Sequence, residues 1–89
     1  FGPVLSVLSF GDLDEAVRLA NDASYGLSAG VWSRDVHTCL DFSRRVQAGT
    51  VWTNSWMDGF PELTFGGYKQ SGQGREVGRY GMEEFLEVK

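Results

Sequence analysis

The residue with the most reactive side chain in this sequence is its single cysteine, Cys39. A cysteine acts as a nucleophile when a base, a cation or a helix N-terminus lowers the pKa of its thiol. Cys39 instead lies mid-helix on a predicted apolar face, so we predict an inert packing role. His37 points to a different helix face and forms no predicted pair with it. Zinc takes about four ligands, so one histidine and one cysteine predict no metal site.

Aromatic residues concentrate where the third predicted strand ends. Trp52 lies in that strand, and Trp56, Phe60 and Phe65 follow in a predicted loop. Ligands bind beyond the carboxyl ends of strands in open parallel sheets, and loop aromatics form pocket walls or interface anchors. Core packing explains Trp52 equally well. Asn54, the first polar residue past the strand, either orients a ligand or bonds a turn of its own backbone.

The sequence is rich in glycine near its end, with seven of its 12 glycines between positions 59 and 81. This distribution predicts turns and close backbone approaches. Residues 72–78 resemble the dinucleotide-binding pattern G-x-G-x-x-G, but Val77 stands where the third glycine belongs. The segment also follows a loop instead of a strand, so we predict no Rossmann phosphate loop here.

The elements that would position these residues alternate between strand and helix. The apolar run 4–10 predicts a strand covered on both faces. Asp12, followed by Glu15, predicts a capped helix start. Residues 21–26 predict a loop, and residues 27–32 a second strand. The predicted apolar stripe of the first helix is Leu13, Ala16, Val17 and Ala20.

A second helix follows, capped by Ser33 or Asp35. Gly49 suits the position after the helix, and residues 50–53 predict the third strand. The predicted apolar face of this helix carries Val36, Cys39, Leu40 and Val46. Basic residues in its last turns, Arg44 and Arg45, complement the helix dipole.

This order predicts an α/β protein, a parallel β-α-β-α-β segment with right-handed crossovers and a three-stranded parallel sheet. A short helix over residues 77–84 and a final strand from Phe85 complete the prediction. In the loop before that helix, Arg75 and Glu76 form a candidate ion pair. Glutamates 83, 84 and 87 predict a solvated face.

Composition excludes several classes of protein. The net charge is −4 and the longest basic run is two residues, so no basic face for nucleic acid is predicted. The longest apolar run is far shorter than the ~20 residues that span a bilayer, and no signal peptide precedes it. One cysteine excludes an internal disulfide, which favours a reducing, cytoplasmic location. The apolar residues at both ends of the sequence predict that it is a piece of a longer chain.

Four ordered motifs together resemble the aldehyde dehydrogenase superfamily along the whole chain. They are residues 1–4 (FGPV), 21–27 (NDASYGL), 48–54 (AGTVWTN) and 65–78 (FGGYKQSGQGREVG). The one departure is Thr64, where the family usually has proline.

The resemblance implies NAD- or NADP-dependent oxidation of an aldehyde to a carboxylic acid. By residue, Phe1 matches a contact to the nicotinamide ribose, and residues 54–65 match the loop that lines the substrate tunnel. Asn54, Trp56 and Phe65 are therefore the candidate substrate-binding residues. The family's catalytic cysteine and glutamate lie upstream, and Cys39 does not match that cysteine. The chain alone should therefore carry no catalytic residue.

The resemblance also implies a division of the chain: residues 1–84 belong to the catalytic domain, and residues 85–89 begin the oligomerisation strand of a homo-oligomer. Residues 52–56 and 62–72 look most like betaine-aldehyde dehydrogenases, whose quaternary ammonium substrate suits aromatic faces. Other amino-aldehydes and general aldehydes fit nearly as well. A stand-alone βαβ module that binds a partner subunit without catalysis is the alternative.

Overall fold

The computed structural model describes residues 2–89, which form three helices and four short strands. Those elements, in chain order, are α1 (Leu13–Asn21), β1 (Tyr25–Gly26), β2 (Ser28–Val31), α2 (Val36–Arg45), β3 (Thr50–Thr53), β4 (Tyr68–Lys69) and α3 (Gly78–Glu83). The α/β class is confirmed. No helix among residues 2–89 has the length and apolar character needed to cross a membrane.

Helix α1 begins as the sequence predicts. The Asp12 carboxylate accepts a hydrogen bond from the Glu15 amide at 2.8 Å, and the Glu15 carboxylate accepts one from the Gly11 amide at 2.9 Å. These bonds satisfy two donors that the helix itself leaves unpaired. Of the predicted apolar stripe, Val17 is buried and Leu13 and Ala16 are half-buried, whereas Ala20 is exposed, so the prediction is wrong there.

Helix α2 is capped by Asp35, whose carboxylate accepts hydrogen bonds from the Thr38 hydroxyl and from the His37 and Thr38 amides. The Thr38 hydroxyl, followed by those amides, lowers the pKa of Asp35 because each bond favours the ionised form. Of the two predicted caps, Asp35 is therefore correct, while the Ser33 hydroxyl accepts a bond from the Asp35 amide.

The predicted apolar face of α2 is partly wrong. Cys39 and Val46 are buried as predicted, but Val36 and Leu40 are exposed, and Phe42 is buried instead. At about 100° per residue, positions 39, 42 and 46 fall within a narrow stripe, whereas 36 and 40 lie on the adjacent face. The face that packs on the sheet is the narrow one.

The sheet is smaller than predicted. Strands β2 and β3 pair in parallel, with Ser28 beside Thr50 and Val31 beside Thr53, so the β2-α2-β3 unit is confirmed. No third strand joins them among the described residues. The predicted loop 21–26 instead ends in β1, which pairs antiparallel with β4 in a separate two-stranded ladder.

Both predicted terminal strands are absent from the described residues. Residues 4–10 run without helix or strand, and the five large apolar side chains there are 62–87% exposed. Residues from Phe85 onward also form no strand, and Val88 is fully exposed. A strand requires a neighbouring strand to satisfy its backbone, and residues 2–89 offer none to either segment.

The chain leaves much of its apolar surface uncovered. The buried apolar side chains are few, namely Val17, Cys39, Phe42 and Val46. The accessible area is 7467 Å², whereas a compact protein of this mass exposes about 5,200 Å². The radius of gyration is 15.0 Å, against about 12 Å for a compact domain of this length. The elements therefore need further protein against them to form an ordinary core.

Gly49 has a different role from the predicted helix cap, because α2 ends at Arg45 with Val46 as its cap residue. At Gly49 the backbone passes so close to Gly66 that an added Cβ would overlap the Gly66 carbonyl oxygen. The absence of a side chain at Gly49 thus lets the start of β3 lie directly on the glycine-rich segment.

Substituting Gly49→Ala should therefore destabilise the chain by about 1–3 kcal/mol or more, since backbone must move to admit the methyl group. Gly74→Ala is the matched control, because its Cβ would meet nothing within 4 Å, and its effect should stay within about 0.5 kcal/mol. Urea unfolding of both variants measures the difference. Equal stability of the two variants would contradict the close approach.

Candidate functional site

An apolar cavity of about 420 Å³ opens where β3 ends. Thr50 and Trp52 form its floor, residues 57–61 and 63–65 form its wall, and Val77 closes one side. The predicted aromatics Phe60 and Phe65 and the strand residue Trp52 all line it. The position beyond the carboxyl end of a parallel strand is where open α/β sheets bind ligands.

Asn54 lies at the point where the chain leaves β3 and enters this loop. Its φ is 53°, a left-handed conformation that asparagine tolerates better than most residues. The side-chain carbonyl accepts a hydrogen bond from the Ser33 amide at 2.9 Å, and the side-chain amide donates to the Ser33 carbonyl at 3.0 Å. Asn54 therefore joins the ends of β3 and β2. These bonds join Asn54 to another strand and not to a turn of its own backbone, while its role toward a ligand stays a prediction.

Three indole rings lie together beside the cavity. The Trp52 and Trp56 ring centroids are 4.8 Å apart, and those of Trp32 and Trp56 are 6.3 Å apart, both pairs tilted. The Trp52 indole N–H donates to the Asp58 carbonyl at 2.7 Å. Trp52 is thus half-buried and ties the strand to the loop, while Trp56 is 51% exposed and lies outside the cavity lining.

Phe65 is held by pairing with a distant part of the chain. Its amide and carbonyl both bond to the backbone of Glu76 at 2.8 Å, an antiparallel bridge that aims the half-buried ring into the cavity. Thr64, which directly precedes Phe65, also lines the cavity. The sequence alone gave no signal for this bridge, because it joins residues eleven positions apart through a loop.

The glycine-rich segment is organised by its two cations. The Arg75 guanidinium donates to the carbonyls of Gly67 and Gly74 at 3.0 and 2.9 Å and lies 5.9 Å from the Tyr68 ring centroid. The predicted ion pair of Arg75 with Glu76 does not form, because these carbonyls take the guanidinium. The Lys69 ammonium donates to the carbonyls of Asn21 and Ala23 at the end of α1.

The remaining candidates lie apart from the cavity. Cys39 is 1% exposed, and its thiol faces the Ser33 carbonyl at 3.9 Å, in keeping with the predicted packing role. No group of three potential metal ligands occurs within residues 2–89. Phe1 lies outside the described residues. Met57, Leu63 and Val77 also line the cavity, although none of them was predicted as a site residue.

Comparison with known proteins identifies the family that shares these motifs. The model of the aldehyde dehydrogenase family matches residues 1–89. The chain belongs to the aldehyde dehydrogenase family. It is 51% identical over 89 residues to an aldehyde dehydrogenase of Enchytraeus buchholzi and 49% identical to the betaine aldehyde dehydrogenase of Bacillus subtilis strain 168. Both matches span 100% of this chain but only 18% of each relative.

Solved aldehyde dehydrogenases share the fold of this segment. The NAD-dependent aldehyde dehydrogenase from Sinorhizobium meliloti is 58% identical to this chain, with a TM-score of 0.90. The match covers 94% of this chain and 17% of the Sinorhizobium chain. A betaine aldehyde dehydrogenase mutant from Staphylococcus aureus, in complex with NAD+, is 44% identical, with a TM-score of 0.95 over 99% of this chain and 18% of its own. The predicted family resemblance is thus confirmed.

Substituting Asn54 should separate two contributions to the geometry of this aldehyde dehydrogenase loop. Asn54→Gly keeps the positive φ but loses both bonds to Ser33, at a cost of about 0.5–1.5 kcal/mol per bond. Asn54→Ala should cost roughly 1 kcal/mol more, because alanine disfavours this φ. Urea unfolding measures both variants. An alanine variant as stable as the glycine variant would contradict the strained conformation.

Proposed function

We propose that this chain is the part of an NAD(P)-dependent aldehyde dehydrogenase that forms one wall of the substrate tunnel. The observation that carries the proposal is the apolar cavity beyond β3, into which Phe65 is fixed by its bridge to Glu76. An aldehyde presents one reacting carbonyl and a substituent that apolar and aromatic side chains can hold. An apolar wall orients such a substrate without offering the carbonyl a competing polar partner.

The three candidate substrate-binding residues take different parts in this proposal. Phe65 contacts substrate directly because it lines the cavity. Trp56 acts through its packing on Trp52, and Asn54 acts by fixing the start of the loop at Ser33. Asn54 thus supports the tunnel without touching the aldehyde, since both ends of its amide already bond backbone.

The chain holds no nucleophile for aldehyde oxidation, because the Cys39 thiol is buried on the sheet side of α2. Covalent catalysis needs an activated nucleophile beside the carbonyl. The proposal therefore assigns the thiolate and the water-activating carboxylate to residues upstream of Phe1 in a longer polypeptide. This segment contributes the wall of the cavity, which positions the aldehyde.

The cofactor of the longer polypeptide is proposed to be NAD or NADP, whose nicotinamide accepts hydride when bound. Within residues 2–89 the glycine-rich segment does not fit a dinucleotide phosphate. Its carbonyls converge on Arg75, and α3 is only six residues long. The proposed cofactor contact is therefore Phe1 alone, beside the nicotinamide ribose.

The partners proposed for this segment are the aldehyde, the rest of the enzyme and other subunits of a homo-oligomer. The uncovered apolar side chains of residues 4–10 and of residues 85–88 support further protein on both sides. Residues 1–84 would belong to the catalytic domain and residues 85–89 would begin the oligomerisation strand. A cytoplasmic location suits the free, reduced Cys39.

A stand-alone βαβ module that binds a partner subunit is the second candidate. The same uncovered surface favours it, because an unsatisfied apolar face binds a separate subunit as readily as a linked segment. The two candidates differ in whether catalytic residues precede Phe1 in the same reading frame.

The purified 89-residue chain should not reduce NAD or NADP in an aldehyde-dependent way. A polypeptide extended upstream should do so, provided that its frame carries a glutamate two residues before Phe1 and a G-Q-x-C segment further upstream. Absorbance of the reduced nicotinamide measures both, and sequencing the upstream DNA decides which polypeptide exists. Activity of the isolated chain, or a start codon directly before Phe1, would reject the proposal.

Betaine aldehyde is the proposed substrate class, because an aromatic face attracts a quaternary ammonium group. In the active polypeptide, Phe65→Leu should lower kcat/KM for betaine aldehyde about 2- to 30-fold, the value of one cation–π contact. The matched control is 3,3-dimethylbutanal, in which carbon replaces the charged nitrogen, and its kcat/KM should change much less. Equal losses for both aldehydes would show that Phe65 supplies only apolar area and would favour a general aldehyde.

A further inference from the structure

Gly30 lies in the middle of β2 and lines no part of the cavity beyond β3. A glycine inside a strand weakens it and often marks a place where another group approaches closely. Here the approaching groups are indole rings. A Cβ on Gly30 would lie 2.7 and 3.0 Å from the Cζ3 and Cη2 atoms of Trp32 and 3.0 Å from Cε3 of Trp56.

These distances are shorter than ordinary carbon–carbon contacts, so the two rings occupy the space that a side chain at Gly30 would fill. Gly30 is also the cross-strand partner of Trp52 in the parallel pair, which places both positions on one face of the sheet. Trp56 therefore lies over the bare backbone of Gly30 and against the ring of Trp52, with centroids 4.8 Å apart.

The position of the Trp52 ring bears directly on the cavity. Trp52 lines it, and the Trp52 indole N–H holds the Asp58 carbonyl at 2.7 Å. Asp58 and its neighbours Met57 and Gly59 form the adjoining wall, and Met57 has a φ of 64°. A displacement of Trp56 thus reaches the wall through one ring contact and one hydrogen bond.

We propose that Gly30 is a specificity-determining positioning residue, which sets the width of the cavity by seating Trp56 against Trp52. The inference rests on the proposed function, since it treats the cavity as the aldehyde tunnel. It adds a residue of β2, outside the tunnel wall, to those that decide which aldehydes fit. Larger aldehydes depend on it more, because they extend furthest along the wall at Trp52 and Asp58.

The test is Gly30→Ala in the natural polypeptide that contains these residues, assayed with straight-chain aldehydes of increasing length. Trp32 is 60% exposed and can swing outward, so the variant should fold while Trp56 is pushed off β2. We expect kcat/KM for the longest aldehyde to fall about tenfold, mainly through KM, and that for the shortest to fall less than about threefold. Gly11→Ala is the matched control, because its Cβ meets only Glu15 at an ordinary 3.7 Å and it lies far from the cavity.

The double variant Gly30→Ala/Trp32→Phe separates the two ring contacts. Phenylalanine at position 32 lacks the outer indole atoms, but the new methyl group still meets Cε3 of Trp56 at 3.0 Å, so the loss of length selectivity should persist. Recovery of selectivity would assign the effect to Trp32 instead of Trp56. Crystal structures of both variants report the Trp52–Trp56 distance independently of activity.

The outcomes separate the two proposals. Absence of aldehyde oxidation in the wild-type polypeptide rejects the proposed function, and the ring positions in the Gly30→Ala structure then still decide whether Gly30 seats Trp56. An active enzyme whose Gly30→Ala variant keeps both its length selectivity and its Trp52–Trp56 distance overturns the inference. Recovery of selectivity in the Gly30→Ala/Trp32→Phe variant overturns it as well.

Discussion

The parallel pairing of β2 with β3 is the constraint on which the candidate site depends. Because both strands run in the same direction, their carboxyl ends meet at one edge of the sheet. Ser33 and Asn54 bond to each other there, and Gly30 lies beside Trp52. The indole rings, the loop after β3 and the cavity all lie at that edge. A shift of the register by one residue would turn Trp52 to the opposite face and remove the floor of the cavity.

Local signals predicted the elements that define this edge. Asp12 and Asp35 cap the starts of their helices, and residues 50–53 form β3, because capping and strand preference act within a few residues. Long-range contacts were not predictable in the same way. The Phe65–Glu76 bridge, the β1–β4 ladder and the Gly49–Gly66 approach each join segments whose proximity no local pattern specifies.

The two failed strands show a different limit. Residues 4–10 are apolar enough to predict a buried strand, yet their large apolar side chains are exposed. A strand also needs a hydrogen-bonded neighbour, and none lies within residues 2–89. The apolar pattern therefore predicts burial against a neighbouring strand that residues 2–89 do not provide. The large accessible area and the small number of buried side chains have the same cause, namely that these segments have no neighbour to cover them.

The glycine-rich segment resembles a nucleotide-binding pattern but is built for packing. A phosphate loop presents amide N–H groups to an anion, whereas here carbonyl oxygens face the Arg75 guanidinium, and the Lys69 ammonium takes the carbonyls at the end of α1. Gly66 admits the Arg75 side chain, since a Cβ at Gly66 would lie 2.5 Å from Cδ of Arg75. Arg75 thus holds carbonyls of its own segment together, and Lys69 joins the segment to the end of α1. Since Arg75 directly precedes Glu76, whose backbone pairs with Phe65, the contacts of the guanidinium help to hold the backbone that aims the Phe65 ring into the cavity.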